Sequence, residues 1–477
     1  MRKSLVVLIM ILEPLCYGAN TYDWFPTFHL APPKGWMSDP NGLQYFNGYY
    51  HFYFQHNPNS PVWGSMHWGH SKSTNMLKWE HLPFALEPSL PEDIDGIFSG
   101  SAVINDGNLT VMYTGASGNL THQTQCLARS SDGLIFEKLG VVLKQDGNDS
   151  NFRDPRVWRQ GNSWFVVIGS ITENNRGEVL LYQSDDLISW EYHGVLADAN
   201  ETLGYMWECP DFFALGDKQI LLINPQGMEQ NGYDFQNLHQ TGYFVGTWQP
   251  REEYIIEKGF REIDHGHDFY ASQTFLAPDG RRILVSWMGM WESPFPEQGD
   301  GWAGMLTLPR ELTLSEDGTI KIKPIKEVKD YRTEDVSYEN SVNLNDNSIY
   351  VLKEQVSSNE IIIELDPVKS NASTYGVRLG DEGQGVSVYV DATKERLFLE
   401  RSYPQFNISR SDRSVAVDLS IPIYLDIFID NSSIEVFVND GQSVLTSRIY
   451  PTELQRTLVV FHSEGCVTLN KYSIWNI

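Results

Sequence analysis

Cysteine is scarce in this chain, with four in 477 residues. One of them, Cys16, lies in an N-terminal apolar segment, which leaves Cys126, Cys209 and Cys466. Three thiols make no disulfide framework, and at least one stays unpaired. No Cys/His spacing fits a zinc site. Basic charge is also in short supply: 35 Lys and Arg stand against 62 Asp and Glu, for a formal net charge of -27. Such a surface repels nucleic acid and anionic membranes and excludes both as partners. It is indifferent to a neutral sugar, and solubility alone accounts for it. Beyond the N-terminus no segment has the length and freedom from charge of a membrane helix. Long amphipathic helical stretches are missing too. Gly, Pro, Asn and Asp interrupt the gaps between apolar runs too often for a parallel α/β fold.

The N-terminus has the features of a secretion signal over residues 1–18. Arg2 and Lys3 supply positive charge, Leu5 to Leu12 form the apolar run LVVLIMIL, and Cys16 and Gly18 are small residues suited to a cleavage site. A secreted, extracellular protein is expected, and with it glycosylation. The sequon N-x-S/T occurs at Asn108, Asn119, Asn148, Asn200, Asn371, Asn407 and Asn431.

A repeat organises the next three hundred residues. DPNGLQYFNGYYHFYFQHN starts at Asp39, SGSAVINDGNLTVMYTG at Ser99, and DPRVWRQGNSWFVVIGS at Asp154. ECPDFFALGDKQILLINPQG starts at Glu208 and DFYASQTFLAPDGRRILVSWMG at Asp268. Each has a polar opening, an apolar strand, a turn at Gly48, Gly107, Gly161, Gly216 or Gly280, and a second strand. Successive copies begin about 55 to 60 residues apart, near the length of a propeller blade with loops. The prediction is all-β, with a five-bladed β-propeller catalytic domain over residues 21–324. A run of unrelated hairpins in a large sandwich is the alternative. The charged segment 325–335 reads as a linker, partly helical. Strands such as EIIIEL from Glu360, IYLDIFID from Ile423 and TLVVFH from Thr457 then predict a C-terminal β-sandwich over residues 336–477.

Repeat phase has a chemical consequence. Asp39, Asp154 and Glu208 each open the first strand of a repeat, so a propeller brings three carboxylates to one mouth of its channel. Clustered carboxylates repel, so they must be protonated or bound to something. Either they hold a cation, or they do acid/base and nucleophilic work on a glycoside. Aromatics beside the acids, including Trp36, Trp63, Trp68, Phe98, Trp158, Trp207 and Trp287, favour a sugar, whose apolar faces suit flat rings.

The ordered set of motifs resembles glycoside hydrolase family 32, the invertases, inulinases and levanases. WMSDPNG at Trp36, FRDP at Phe152 and ECP at Glu208 are similar to its nucleophile, second and acid/base blocks. YFQHNP, MHWGHS, IFSGSAV, DFYASQTF and LTLPREL follow the same pattern. The resemblance implies a retaining β-fructofuranosidase acting on sucrose or a short fructan through a covalent fructosyl-enzyme. Asp39 would be the nucleophile and Glu208 the acid/base, its pKa lifted by acidic neighbours and an apolar wall from Trp207 and Cys209. Asp154, kept charged by Arg153, would stabilise the transition state. Asn41, Gln55, Trp63, Phe98 and Ser99 would line the fructose pocket, with Trp287 and the Trp302 region on the leaving-group side. No cofactor or metal is implied. Ser38 stands where the family has Asn, which bears on the ratio of hydrolysis to transfer. A fructosyltransferase with the same site and a non-catalytic sugar-binding propeller are the alternatives.

Overall fold

The computed structural model describes residues 22–144, 149–199, 203–338, 341–345, 349–381, 383–453 and 456–477. The predicted signal segment and the sequons at Asn148 and Asn200 lie outside the described residues. Among the described residues, no helix is long and apolar enough to cross a membrane.

Five antiparallel four-stranded sheets follow one another along the chain, each built outward from its first strand. The first strands are Gly35–Phe46, Phe152–Gln160 and Met206–Leu215 in blades I, III and IV, with Gly96–Asn105 in blade II and Tyr270–Leu276 in blade V. Each packs against the next, and the fifth returns to the first, which closes the ring. Blade I also carries the short strand Trp302–Ala303, donated by the connection between the second and third strands of blade V and paired parallel to Gly35 and Trp36. The turn glycines Gly48, Gly107, Gly161, Gly216 and Gly280 all have φ between 62° and 87°. That left-handed conformation is costly for residues with a Cβ, which explains the glycine in each hairpin.

Apolar faces of neighbouring blades supply the core. Tyr53 and Trp68 meet Val111 and Tyr113 between blades I and II. Phe165 and Val167 meet Phe212 and Leu221 between blades III and IV. Truncating one such side chain, as in Phe165→Ala, is expected to cost about 3–5 kcal/mol.

The C-terminal part of the chain, from Thr333 on, forms a second body of two sheets, one of seven strands and one of six among the described residues, enclosing a Val/Ile/Leu core. The expected linker holds a 3-10 helix, Lys326–Tyr331, and the strand Thr333–Tyr338 already pairs with the last strand of this sandwich. Buried charges join the two bodies. Arg310 of blade V donates to Asp264 of the propeller at 2.9 Å and to Glu435 of the sandwich at 2.6 Å. His29, on the segment leading into blade I, lies 2.7 Å from Glu435 and 2.9 Å from Asp430. Opposite charges at these positions compensate the desolvation of each one.

Candidate active site

The first strand of every blade carries a bulge at the same level. Two residues oppose one where Met37 pairs with His56 and Pro40 with Phe54. The same slip occurs between Ile97 and Gly100, Arg153 and Arg156, Glu208 and Asp211, and Tyr270 and Gln273. A bulge bends the strand and re-aims its side chains. In blades III, IV and V the first bulged residue is left-handed, with φ of 67° at Asp154, 44° at Cys209 and 56° at Ala271. Such backbone is strained for a residue with a Cβ and must be held by its surroundings.

Register also shows which residues are equivalent. Arg153, Glu208 and Tyr270 are each the last regular residue before the bulge, and they meet. Arg153 donates to Glu208 Oε1 from Nη2 at 2.8 Å and from Nε at 3.2 Å. The Tyr270 hydroxyl donates to Glu208 Oε2 at 2.6 Å, and Gln226 Nε2 donates to the same oxygen at 2.8 Å. Asp39 and Ser99 are likewise equivalent, and the Ser99 hydroxyl donates to Asp39 Oδ2 at 2.7 Å. Asp154 matches Cys209, whose backbone N–H donates to Asp154 Oδ2 at 3.0 Å. The Cys209 thiol lies 3.6 Å from Asp154 Oδ2 and 3.7 Å from Asp39 Oδ2, so these two acids meet at the residue that follows Glu208. Asp39 and Asp154 each precede a proline, yet they occupy different places in their bulges.

The charges are unequal. Burial raises Asp39, and the neighbouring Glu208 adds to this, against hydrogen bonds from Ser99 and Ser38. Asp154 is also raised, by burial and by Glu208 and Asp39, although Arg153 opposes this. Burial would lift Glu208 as well, but the Arg153 guanidinium and the Tyr270 hydroxyl outweigh it and hold the carboxyl below its usual value. An elevated Glu208 was expected from its acidic neighbours. The correction has a clear cause, because the one guanidinium expected to serve Asp154 spends its two best hydrogen bonds on Glu208.

The other expected residues divide into two groups. Gln55 donates to Ile97 O at 3.0 Å, and Phe98 and the 40% exposed Trp63 meet edge to face at 6.2 Å, so these stand at the mouth with Ser99. Asn41 is fully buried beneath it, where its Oδ1 accepts from Gly100 N and joins blade I to blade II. Trp287 is fully buried too, between Phe295, Trp36 and Trp291. It supports the wall of the site and has no surface for a sugar, whereas Trp291 packs on the same cluster and is partly exposed. Trp207 faces the core between blades III and IV, so the apolar wall beside the acids comes from Trp36, Tyr270 and Cys209. Trp302 is buried against Phe25.

Tyr270, Gln226 and Trp291 were not foreseen. Tyr270 lies within a motif that sequence already singles out, DFYASQTF, at the same offset as Arg153 and Glu208. Gln226 is legible only from strand pairing, since its partner Met206 stands two residues before Glu208 and shares its face. Among the described residues no group of three or more His, Cys, Asp or Glu side chains is arranged to hold a metal ion. Of the exposed or half-exposed sequons, Asn119 and Asn407 point into solvent. Asn431 instead donates its amide nitrogen to Phe25 O at 2.8 Å and precedes the buried Ser432 and Ser433.

Carboxylates grouped at a propeller mouth beside aromatic walls define a glycoside hydrolase. The chain belongs to glycosyl hydrolase family 32: residues 29–324 match the family's N-terminal domain and residues 327–476 its C-terminal domain. Its relatives are enzymes of the invertase type. It is 44% identical to a sucrose-6-phosphate hydrolase of Escherichia coli over 96% of this chain and 95% of that one. It is 45% identical to a raffinose invertase of Escherichia coli over 100% and 99%. A Bombyx mori β-fructofuranosidase of the same family, solved as a mutant in complex with sucrose, is 36% identical and superposes with a TM-score of 0.84 over 95% of this chain and 94% of that one.

Proposed function

We propose that this protein is a secreted, retaining β-fructofuranosidase that hydrolyses unphosphorylated sucrose. Asp39 attacks C2 of the fructosyl unit while Glu208 protonates the departing glucosyl oxygen, and the C2–O bond to glucose breaks. The product is a fructosyl ester on Asp39. Glu208, now a carboxylate, takes a proton from water; the water oxygen bonds to C2 and releases Asp39. Asp154 accepts hydroxyl hydrogen bonds and opposes the positive charge that develops on the ring. Gln55, Ser99, Phe98 and Trp63 hold the fructose, and Arg153 with Tyr270 and Gln226 aims Glu208. The meeting of Asp39 and Asp154 at the Cys209 thiol, one residue after Glu208 and with Glu208 near enough to raise Asp39, carries this reading.

Charge at the rim favours sucrose over its phosphorylated form. Tyr205 and His239 flank Glu208, and Glu292 lies beside both of them. Burial lowers the His239 pKa, so the ring is neutral near pH 7. A phosphate on the glucosyl unit would meet Glu292 and the acid trio, with Arg153 already committed to Glu208. The test is hydrolysis of sucrose and of sucrose 6-phosphate by the pure protein. A higher kcat/KM for sucrose is expected, and preference for the phosphate ester would reject this assignment. Retention is checked by the anomer first released, read by NMR. Secretion is supported by the signal-like segment and is tested by finding the protein in the medium with a mature N-terminus near residue 19.

A further inference from the structure

Arg448 belongs to the C-terminal sandwich, on the strand Ser443–Arg448, yet all its partners outside that domain are in the propeller. Its side chain is fully buried. Nε and Nη2 both donate to Asp268 Oδ1, at 3.0 and 2.8 Å, and its backbone N–H donates to Asp268 Oδ2 at 2.9 Å. Nη2 also donates to Ser293 Oγ at 2.6 Å, and Nη1 to Pro294 O at 3.2 Å and to the Tyr450 hydroxyl at 2.8 Å. Every N–H of the guanidinium is thereby used. Its Cζ lies over the Phe295 ring, 3.8 Å from the ring centre. Glu297 Oε1 stands 3.7 Å from Nη1.

Two connections lead from this group to the chemistry. Asp268, which also pairs with Arg401 of the sandwich, is two residues before Tyr270, whose hydroxyl donates to Glu208. Phe295 stacks on Trp287 with planes 4° apart and meets Trp36 at 4.9 Å. Trp36 in turn lies nearly parallel to Trp291, with centroids 6.2 Å apart. Trp291 is followed by Glu292, which neighbours His239 and Tyr205 beside Glu208. The ring therefore stands on the acid's side of the mouth, where the leaving group must lie.

We propose that Arg448 is a positioning residue through which the C-terminal sandwich sets the leaving-group side of the site. It fixes the 290–297 segment, and with it the Trp291 ring, against the strand that carries Tyr270. This rests on the reading of Asp39 and Glu208 given above. Lysine replaces only its charge beside Asp268, since one ammonium lacks both the flat face that covers Phe295 and the fork that joins Asp268 to Ser293.

The test compares full-length wild type, Arg448→Met, Arg448→Lys and Phe295→Leu on two substrates, sucrose and methyl β-D-fructofuranoside, whose leaving group is too small to reach Trp291. Wild type hydrolysing both supports the underlying reading; wild type hydrolysing neither removes that reading itself. For the variants, KM for sucrose is expected to rise tenfold or more while KM for the methyl glycoside changes less than threefold. Arg448→Lys should show the same split, less severely. Equal losses on both substrates, or no change on either, would overturn the proposal. Should Arg448→Met not fold, Phe295→Leu keeps the Arg448–Asp268 pair and decides the matter alone: an unchanged KM for sucrose then rejects it.

Discussion

Arg153 and Glu208 occupy the same position in adjacent blades, each the last regular residue before a bulge, and they form an ion pair at 2.8 Å with 13% and 18% of their side chains exposed. The pair opposes the usual effect of burial on a carboxylic acid. In the substrate-free protein the charged form of Glu208 is favoured, while Asp39 is pushed towards its neutral form.

This predicts the pH dependence. Catalysis needs Asp39 charged and Glu208 protonated. As pH falls through the raised pKa of Asp39, the nucleophile is lost; as pH rises through the lowered pKa of Glu208, the acid is lost. The two limbs approach each other, so kcat/KM, which reports the free enzyme, should peak in the acidic range and decline towards neutrality. Arg153→Gln removes the cation that depresses Glu208 and should move the alkaline limb to higher pH while lowering kcat. A pH profile of kcat/KM with that limb unmoved would contradict the role given to Arg153.

Asp39→Ala should reduce sucrose hydrolysis by at least about 10⁴-fold, the scale of loss when a covalent nucleophile is removed. Circular dichroism and Tm should stay near wild type, since Asp39 makes its contacts within the site. Wild-type release of glucose and fructose by this variant would remove it as nucleophile.

His29 governs a stability prediction. Its pKa is raised from 6.5 to about 9, because Asp430 and Glu435 on its two ring nitrogens outweigh burial. A raised folded pKa means this stabilisation is complete below about pH 6.5 and is lost as pH rises through about 9. Tm should fall across that window. His29→Ala should abolish the dependence and cost about 3–5 kcal/mol, since it leaves the buried Asp430 without its cation while Glu435 keeps Arg310. Urea titrations at pH 6 and pH 9.5 would measure both effects.

Glycan occupancy should follow the geometry of each amide. Asn119 and Asn407 are exposed and should carry glycan in protein made by a eukaryotic secretory host, while Asn431 should not. Peptide mapping by mass spectrometry would decide, and a glycan on Asn431 would require its bond to Phe25 to be broken.

Chelation is expected to leave activity intact, because the proposed steps use carboxylates, hydroxyls and one guanidinium. Assay after dialysis against EDTA checks this, and a large loss would reveal a cation working with the acid trio.

Much of the architecture is legible in the sequence itself. Hairpins with a glycine turn and apolar alternation are local signals, read over a dozen residues, and their recurrence implied the ring and the convergence of Asp39, Asp154 and Glu208. The motif blocks named the family for the same reason: they are contiguous. What sequence misjudged was orientation. Trp207 stands next to Glu208 in the chain and Trp287 pairs with Tyr270 across the blade, but a strand alternates faces, and a bulge shifts that alternation by one residue. Nothing local shows where the bulge falls, so these tryptophans were expected at the mouth and lie in the core. Pairing across blades was equally hidden. That Arg153 serves Glu208 more closely than Asp154, and that Arg448 of the sandwich reaches the loop bearing Trp291, depends on contacts between residues 55 and more than 150 positions apart. The chain by itself determined which groups are present and at which end of the propeller they gather. Only the tertiary structure decided which of them touch, and therefore which carboxylate holds the proton, because electrostatic coupling depends on separations of a few ångströms that no repeat phase specifies.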